Sequence, residues 1–283
     1  MSDRAQHYFV PRPSRWMMVG SFALLFLAGG AAMWFNGADL GRYCVLIGFA
    51  LLAFMMFRWF GDVVAESESG KYGKWEDLSF RWGMSWFIFS EVMFFAAFFG
   101  ALFYARVMAV PDLGSLASKE LLWPDFAAQW PSAGPAFKDP FTPMAAWGVP
   151  ALNTLLLLTS GVTLTIAHFG MLEGNRAKLK LWLALTIALG AAFLGFQIYE
   201  YAHAYSELNL KLGTGIYGTT FYMLTGFHGF HVTVGVIMLT TMLFRSFAGH
   251  FKPQNHFAFE AVAWYWHFVD VVWLLLFIFV YWV

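Results

Sequence analysis

An all-α integral membrane fold with seven transmembrane helices is what this sequence predicts, and three observations carry that reading. Of the 283 residues, 60% are hydrophobic and only 12% are charged, against about 25% charged in soluble domains. A soluble chain so poor in charge could not cover its own surface with polar groups, whereas a bilayer removes the need. Seven apolar stretches reach the ~20 residues that a helix needs to cross the hydrocarbon. Their apolar runs are continuous rather than alternating, which argues against a transmembrane β-barrel.

The predicted spans cover 16–36, 42–61, 82–105, 145–170, 179–202, 216–244 and 257–282. The opening segment Met1 to Arg15 is polar, with Pro11 and Pro13, and the run after it reads as a span rather than a cleaved signal. Cationic residues set the orientation. With the N-terminus inside, the inner face collects twelve: Arg4, Arg12, Arg15, Arg58, Lys71, Lys74, Arg81, Arg176, Lys178, Lys180, Arg245 and Lys252. The outer face keeps five: Arg42, Arg106, Lys119, Lys138 and Lys211. The C-terminus is then outside, as seven spans require.

Three regions follow. Residues 1–61 hold the first two spans, 62–81 form an inner polar loop rich in Glu and Ser, and 82–283 hold five spans. Within the last, 109–144 contains six of the ten prolines and reads as an irregular or short-helical outer insertion. The net charge of zero gives no sign of a nucleic-acid partner. Cys44 is the one cysteine, so no disulfide forms within the chain.

Ionisable groups inside spans carry the chemistry, because each costs on the order of 2.5–3.5 kcal/mol at mid-membrane on insertion scales. Glu91 lies ten residues after Arg81, hence about 15 Å deep at 1.5 Å per residue. Among Val92, Met93, Phe94 and Phe95 its carboxyl is expected to be protonated and hydrogen-bonded. It either exchanges a proton or braces helices, or it makes a structural hydrogen bond to a neighbouring helix. His228 and His231, three apart, share a helix face. Metal ligation there lacks a nearby cysteine. A haem would need histidines on facing helices, and His168, His203 and His267 sit at dissimilar depths. Interhelical hydrogen bonding is the better reading.

In the last span Glu260, Trp264, His267 and Val271 follow spacings of four, three and four. This stripe is expected to pack inward as a polar seam, with Asp270 paired to His267. The fourth span offers Asn153-Thr154, Ser160-Gly161, Thr163, Thr165 and His168, small and hydroxylated residues that permit close helix approach. Glu200 closes the fifth span and reads either as an interfacial anchor or as part of a structural polar seam with Asn153, His168, His228, Glu260, His267 and Asp270. Trp59, Asp62, Glu66, Arg81 and Arg245 fall at the inner headgroup level, where they either meet lipid or simply anchor. There is no Walker loop, GxSxG, CxxC or CxxCH. No catalytic residue and no metal-ligand set is expected on this chain.

The run Trp264-Tyr265-Trp266-His267-Phe268-Val269-Asp270-Val271-Val272-Trp273 resembles a signature of the subunit III family of the haem–copper cytochrome c oxidases. So do Gly226-Phe227-His228-Gly229-Phe230-His231-Val232, Ser90-Glu91-Val92-Met93-Phe94-Phe95, Leu152-Asn153-Thr154, Ser160-Gly161-Val162, Tyr199-Glu200-Tyr201 and Asp62-Val63-Val64 with Glu66-Ser67. The resemblance runs from about Tyr8 to Val283, with 109–144 apart. It implies two helices and five helices flanking a V-shaped, lipid-filled cleft. By motif position Trp59, Asp62, Glu66, Ser67, His231, Arg245 and His250 would hold phospholipid, and Glu91 would be the family's buried carboxylate. It further implies an accessory subunit without a cofactor of its own, bound to subunit I in a complex that includes subunit II. Haem a and copper would sit on those partners. Cytochrome c would be the electron donor to dioxygen, and the complex would pump protons. Subunit III would stabilise subunit I, support proton uptake and admit dioxygen through its lipid.

The sequence departs from the family at Gly70, Lys71 and Tyr72, where relatives carry histidines, and at Ala248, where some carry a basic residue. The long outer segment is similar to bacterial members, which implies a bacterial plasma membrane rather than a mitochondrial inner membrane. A quinol oxidase subunit III is the nearest rival, but those usually lack the first two spans. An ion-coupled transporter using Glu91 would show inverted repeats and broken helices, and neither is seen. A dihaem carrier is disfavoured by the histidine spacing.

Overall fold

The computed structural model describes residues 9, 13–137, 139–253 and 256–282, and Arg4, Pro11, Arg12, Lys138 and Val283 of the sequence reading lie outside them. Among the described residues seven helices are long and apolar enough to cross a membrane, and no β-strand forms. The chain divides into two compact units, 1–80 and 81–283.

The first unit is a helical hairpin, α1 (Trp16–Phe35) packed along α2 (Leu40–Glu68), followed by the first turns of α3 (Lys74–Phe103). The two backbones nearly touch. A Cβ at Gly30 would strike Val45 N, and one at Gly48 would strike Leu27 N. α2 continues seven residues into the segment expected to be a loop, because nothing between Asp62 and Glu68 breaks a helix. It ends before Gly70, whose φ of +69° is left-handed. The connection to α3 is therefore 69–73 rather than 62–81.

In the second unit α3 runs on through a π-helical stretch, Tyr104–Ala109, and one turn, α4 (Val110–Leu113). The continuous helix from Lys74 to Leu113 has 40 residues, about 60 Å at 1.5 Å per residue. That is about twice the ~30 Å hydrocarbon core. A short α5 (Leu116–Leu121) opens the Pro-rich segment, and α6 (Val149–Leu172), α7 (Arg176–Ser206), α8 (Gly215–Phe247) and α9 (Phe257–Leu276) follow. α7 begins with Asn175 Oδ1 accepting from the Lys178 N–H at 3.0 Å, an N-cap. α6 packs on α7, α7 on α8, α8 on α9 and α9 back on α6. Their core is aromatic, with Phe193, Phe221, Trp266 and Trp273 essentially free of solvent.

The Pro-rich segment is ordered by backbone pairing. The Ile216 and Tyr217 N–H groups, unpaired within the first turn of α8, donate to Ala133 O and Ser132 O at 3.3 and 3.2 Å. Gly215 sits at φ +54° directly against the Ala133 carbonyl, where no side chain fits. Thr142 N–H donates to Leu208 O at 3.0 Å, and Phe141 stacks on Tyr217 at 5.5 Å.

Candidate functional site

The polar residues singled out by sequence gather into separate clusters. One of them joins two residues that sequence treated apart. Glu91, in mid-α3, lies with Oε2 at 2.8 Å from His231 Nε2 of α8. The imidazole is 9% exposed and the carboxylate 21%. Phe94 and Phe95 flank the ring at 5.9 and 5.0 Å, and Tyr265 stacks on it at 6.3 Å.

The other ring nitrogen fixes the chemistry. His231 Nδ1 is 2.7 Å from Phe227 O, one helical turn back. A carbonyl can only accept, so Nδ1 carries a hydrogen. The 2.8 Å gap to Glu91 then holds one proton, bound either to the carboxyl or to the imidazole, and the pair is neutral either way. Both ring nitrogens are occupied, so His231 belongs to this pair and has no donor left for a lipid phosphate.

A second cluster fills the end of α7. Glu200 is 2% exposed. It is a buried acceptor rather than an interfacial anchor: Tyr281 O–H donates to its Oε1 at 2.6 Å, and Gln197 Nε2 lies at 3.5 Å. The π-helical turn Phe277–Tyr281 ends with Tyr281 in this position. Neither Gln197 nor Tyr281 stood out in the sequence, since a Tyr in an aromatic run carries no signal until its partner is known.

The signature run on α9 docks on α6. Trp266 Nε1 donates to Ser160 Oγ and Trp273 Nε1 to Thr154 Oγ1, each at 2.9 Å. Asp270 lies 3.5 Å from His267, as expected. The stripe Glu260, Trp264, His267, Val271 does not pack inward, however. His267 has 46% of its side chain exposed and Val271 is exposed too. The buried face is Phe259, Val262, Trp266, Val269, Asp270 and Trp273, because the larger aromatic surface takes the core. His228 also departs from expectation. Both its nitrogens lack a hydrogen-bond partner among the described residues, and its ring sits 5.7 Å from Phe193 and 5.2 Å from Trp273. Asn153, fully buried beside this core, likewise shows no partner for its amide among the described residues.

The expected lipid-holding residues fall in both units. In the first, Trp59 is exposed and stacked on Phe60, and Asp62 accepts from Trp16 Nε1 at 2.6 Å. Glu66 accepts from Tyr72 O–H at 3.2 Å, and Ser67 is half-buried next to it. Burial, with the Glu66 carboxylate in support, pushes the Tyr72 hydroxyl up to about 12. In the second, Arg245 is buried with its guanidinium 4.7 Å over Phe251, and His250 lies in the turn beyond it, its N–H bonded to Arg245 O. Arg81 binds Glu260 Oε2 at 2.6 Å and covers the Phe257 ring at 5.0 Å. Glu260 in turn stands near His168 and His256. His256 gave no sequence signal, since it lies in the connection before α9.

An open apolar groove of about 890 Å³ runs between α3 and α9, lined by Phe95, Phe99, Phe268, Val272 and Ile278, with Arg106 among its lining residues. Every long helix also leaves a broad apolar face exposed, including Phe57, Trp86, Ile198 and Phe244, a surface suited to lipid tails or neighbouring helices.

The family model described as Cytochrome c oxidase subunit III matches residues 6–283. The chain is 40% identical over 285 residues to the "Cytochrome c oxidase subunit 3" of Oryctolagus cuniculus, covering 100% of this chain and 99% of that one. The protein of that name from Petromyzon marinus is 40% identical over 285 residues, with the same coverage. That of Marchantia polymorpha is 39% identical over 284 residues, covering 100% of this chain and 98% of that one.

Proposed function

The chain belongs to the cytochrome c oxidase subunit III family, and from that premise we propose that it is the accessory subunit that keeps a proton-pumping terminal oxidase supplied and stable during turnover. As a multi-pass inner-membrane protein of that family it works in a complex with other oxidase subunits. In our reading it packs on subunit I, with subunit II in the same complex, and cytochrome c feeds electrons to haem a and copper on those partners. Its own residues carry no redox step.

The observation that carries this reading is the Glu91–His231 pair. Glu91 Oε2 and His231 Nε2 lie 2.8 Å apart in mid-span, an acid and a base within hydrogen-bond reach of one another. Such a pair can take up a proton and pass it on while staying solvated by its partner. The exposed residues Trp59 and Asp62 and the half-buried Glu66 and Ser67, with Arg81, Arg245 and His250, support the holding of phospholipids. The apolar groove of α3 and α9 supports a path for dioxygen through a bound acyl chain. A two-plus-five helix arrangement with the N-terminus inside agrees with the 1–80 and 81–283 units and with the cation count. The long 109–144 segment favours a bacterial plasma membrane.

The test is purification in mild detergent, followed by an optical spectrum and oxygen uptake on reduced cytochrome c. Recovery with a haem-A-bearing partner and cytochrome c-driven uptake supports the proposal. Uptake with quinol alone moves the chain to the quinol branch, and a haem-free, partnerless protein sinks both.

A further inference from the structure

Three side chains with free donor atoms converge where the C-terminal end of α6 meets the start of α9. His168 comes from α6, His256 precedes the first residue of α9, and Glu260 lies in the first turn of α9. One ligand atom from each lies within 4.8 Å of the other two. Nothing in the sequence brings them together, as His168 and His256 are 88 residues apart by their numbers.

Their hydrogen bonds orient them as ligands. His256 Nδ1 is 3.3 Å from Lys252 O, so it carries the hydrogen, and Nε2 is left with its lone pair. That nitrogen faces Glu260 Oε1 at 3.8 Å. A ring that donates one N–H to a backbone carbonyl and turns the other nitrogen inward is the arrangement of metal-ligating histidines. His168 Nε2 is buried without a hydrogen-bond partner among the described residues, although a buried polar nitrogen is normally satisfied. Glu260 is held from behind, with Arg81 on its Oε2 at 2.6 Å, which leaves Oε1 toward the histidines. The two rings already lie near each other, with centroids 5.8 Å apart.

We infer that His168, His256 and Glu260 form an exchangeable binding site for a divalent transition-metal ion, Zn²⁺ by its donor set. Two imidazole nitrogens and one carboxylate oxygen suit Zn²⁺ at about 2.0–2.2 Å and leave a fourth position for water. Hard Mg²⁺ and Ca²⁺ prefer all-oxygen sets, so they compete poorly. Separations of up to 4.8 Å exceed those of a closed tetrahedral shell, so binding draws the side chains inward and clamps α6 to α9. The Arg81 guanidinium both orients Glu260 and repels a dication. The site is therefore one that loads and empties, not a permanent structural centre.

The test uses the intact oxidase complex. It is dialysed to equilibrium against a fixed concentration of free Zn²⁺ in the presence of excess Mg²⁺, and the zinc bound above that in the dialysate is counted by mass spectrometry. The wild type is expected to retain one more equivalent of zinc than His256→Ala, and His168→Asn to show the same deficit. Equal zinc in all three overturns the inference. Should either variant fail to assemble, anomalous diffraction at the zinc edge from Zn²⁺-soaked wild-type crystals decides. A peak between the three side chains upholds the site, and its absence there refutes it.

Discussion

The indole nitrogen of Trp266 donates to Ser160 Oγ at 2.9 Å, and Ser160 in turn donates to Leu157 O at 2.6 Å. One hydroxyl thus serves as acceptor for α9 and donor to α6, so both of its roles are filled where both side chains are fully buried. The ring lies in a slot made by two missing side chains. A Cβ at Gly190 would come within 2.7 Å of its Cη2, and one at Gly235 within 2.7 Å of its Cε3.

Trp266→Phe and Ser160→Ala are therefore expected to be coupled. Interhelical hydrogen bonds in membranes contribute about 0.6 kcal/mol on average, up to about 1.7. A double-mutant cycle of detergent-denaturation midpoints should return an interaction energy of that size. Strict additivity would mean that the bond does not help hold α9 to α6.

Gly190→Ala should destabilise by about 1–3 kcal/mol, the usual range for forcing extra atoms into a packed core. The added methyl meets an indole that is itself boxed in, so the strain cannot be relieved by a rotamer change. Thermal unfolding in the same detergent reads the effect, and an unchanged midpoint would show that the slot yields to a methyl group.

Glu91→Gln keeps a polar side chain within reach of His231 but removes the acid. Assembly with the other oxidase subunits is expected to survive, while proton uptake slows and activity fades faster during turnover. In infrared difference spectra the variant should also lose a carboxyl signal that His231→Gln shifts in wild-type Glu91. Full proton uptake in Glu91→Gln would reduce the pair to a brace.

Tyr72 titrates late, its hydroxyl raised from 10.0 to about 12. The native fold thus favours the protonated phenol. Its contribution is complete below about pH 10 and disappears as the pH climbs through about 12. An ultraviolet tyrosinate titration of the folded protein should lose one late-ionising group in Tyr72→Phe, and in Glu66→Gln that group should ionise earlier. Identical curves would place Tyr72 away from Glu66.

Gly215→Val puts a side chain onto the Ala133 carbonyl at a left-handed φ, a strain of about 1–3 kcal/mol. The Pro-rich segment should detach from α8 and become sensitive to protease between 127 and 143, with the spans intact. Protection equal to wild type would mean that the segment is held elsewhere.

All seven spans were legible because a bilayer demands long unbroken apolar runs, which leave a strong trace in composition. Helix ends were less so. α2 passes through Asp62 and Glu66 because polarity alone does not stop a helix once it leaves the hydrocarbon, and only Gly70 ends it. The spacing of Glu260, His267 and Val271 correctly gave a stripe, but periodicity says nothing of which stripe faces inward. That choice fell to the bulk of Trp266 and Trp273. The pairing of Glu91 with His231, 140 residues away, depends on which helices become neighbours, as does the meeting of His168 with His256. The membrane cost of Glu91, His231 and His168 is visible in the sequence, but their partners are not.

The close approach of α1 and α2 has a bearing on how the chain is made. Two apolar helices joined by the four residues 36–39, with backbones close enough that Gly30 and Gly48 admit no Cβ, can satisfy one another before anything else exists. Such a hairpin is able to leave the insertion machinery as a finished piece, with the remaining five spans still on the ribosome.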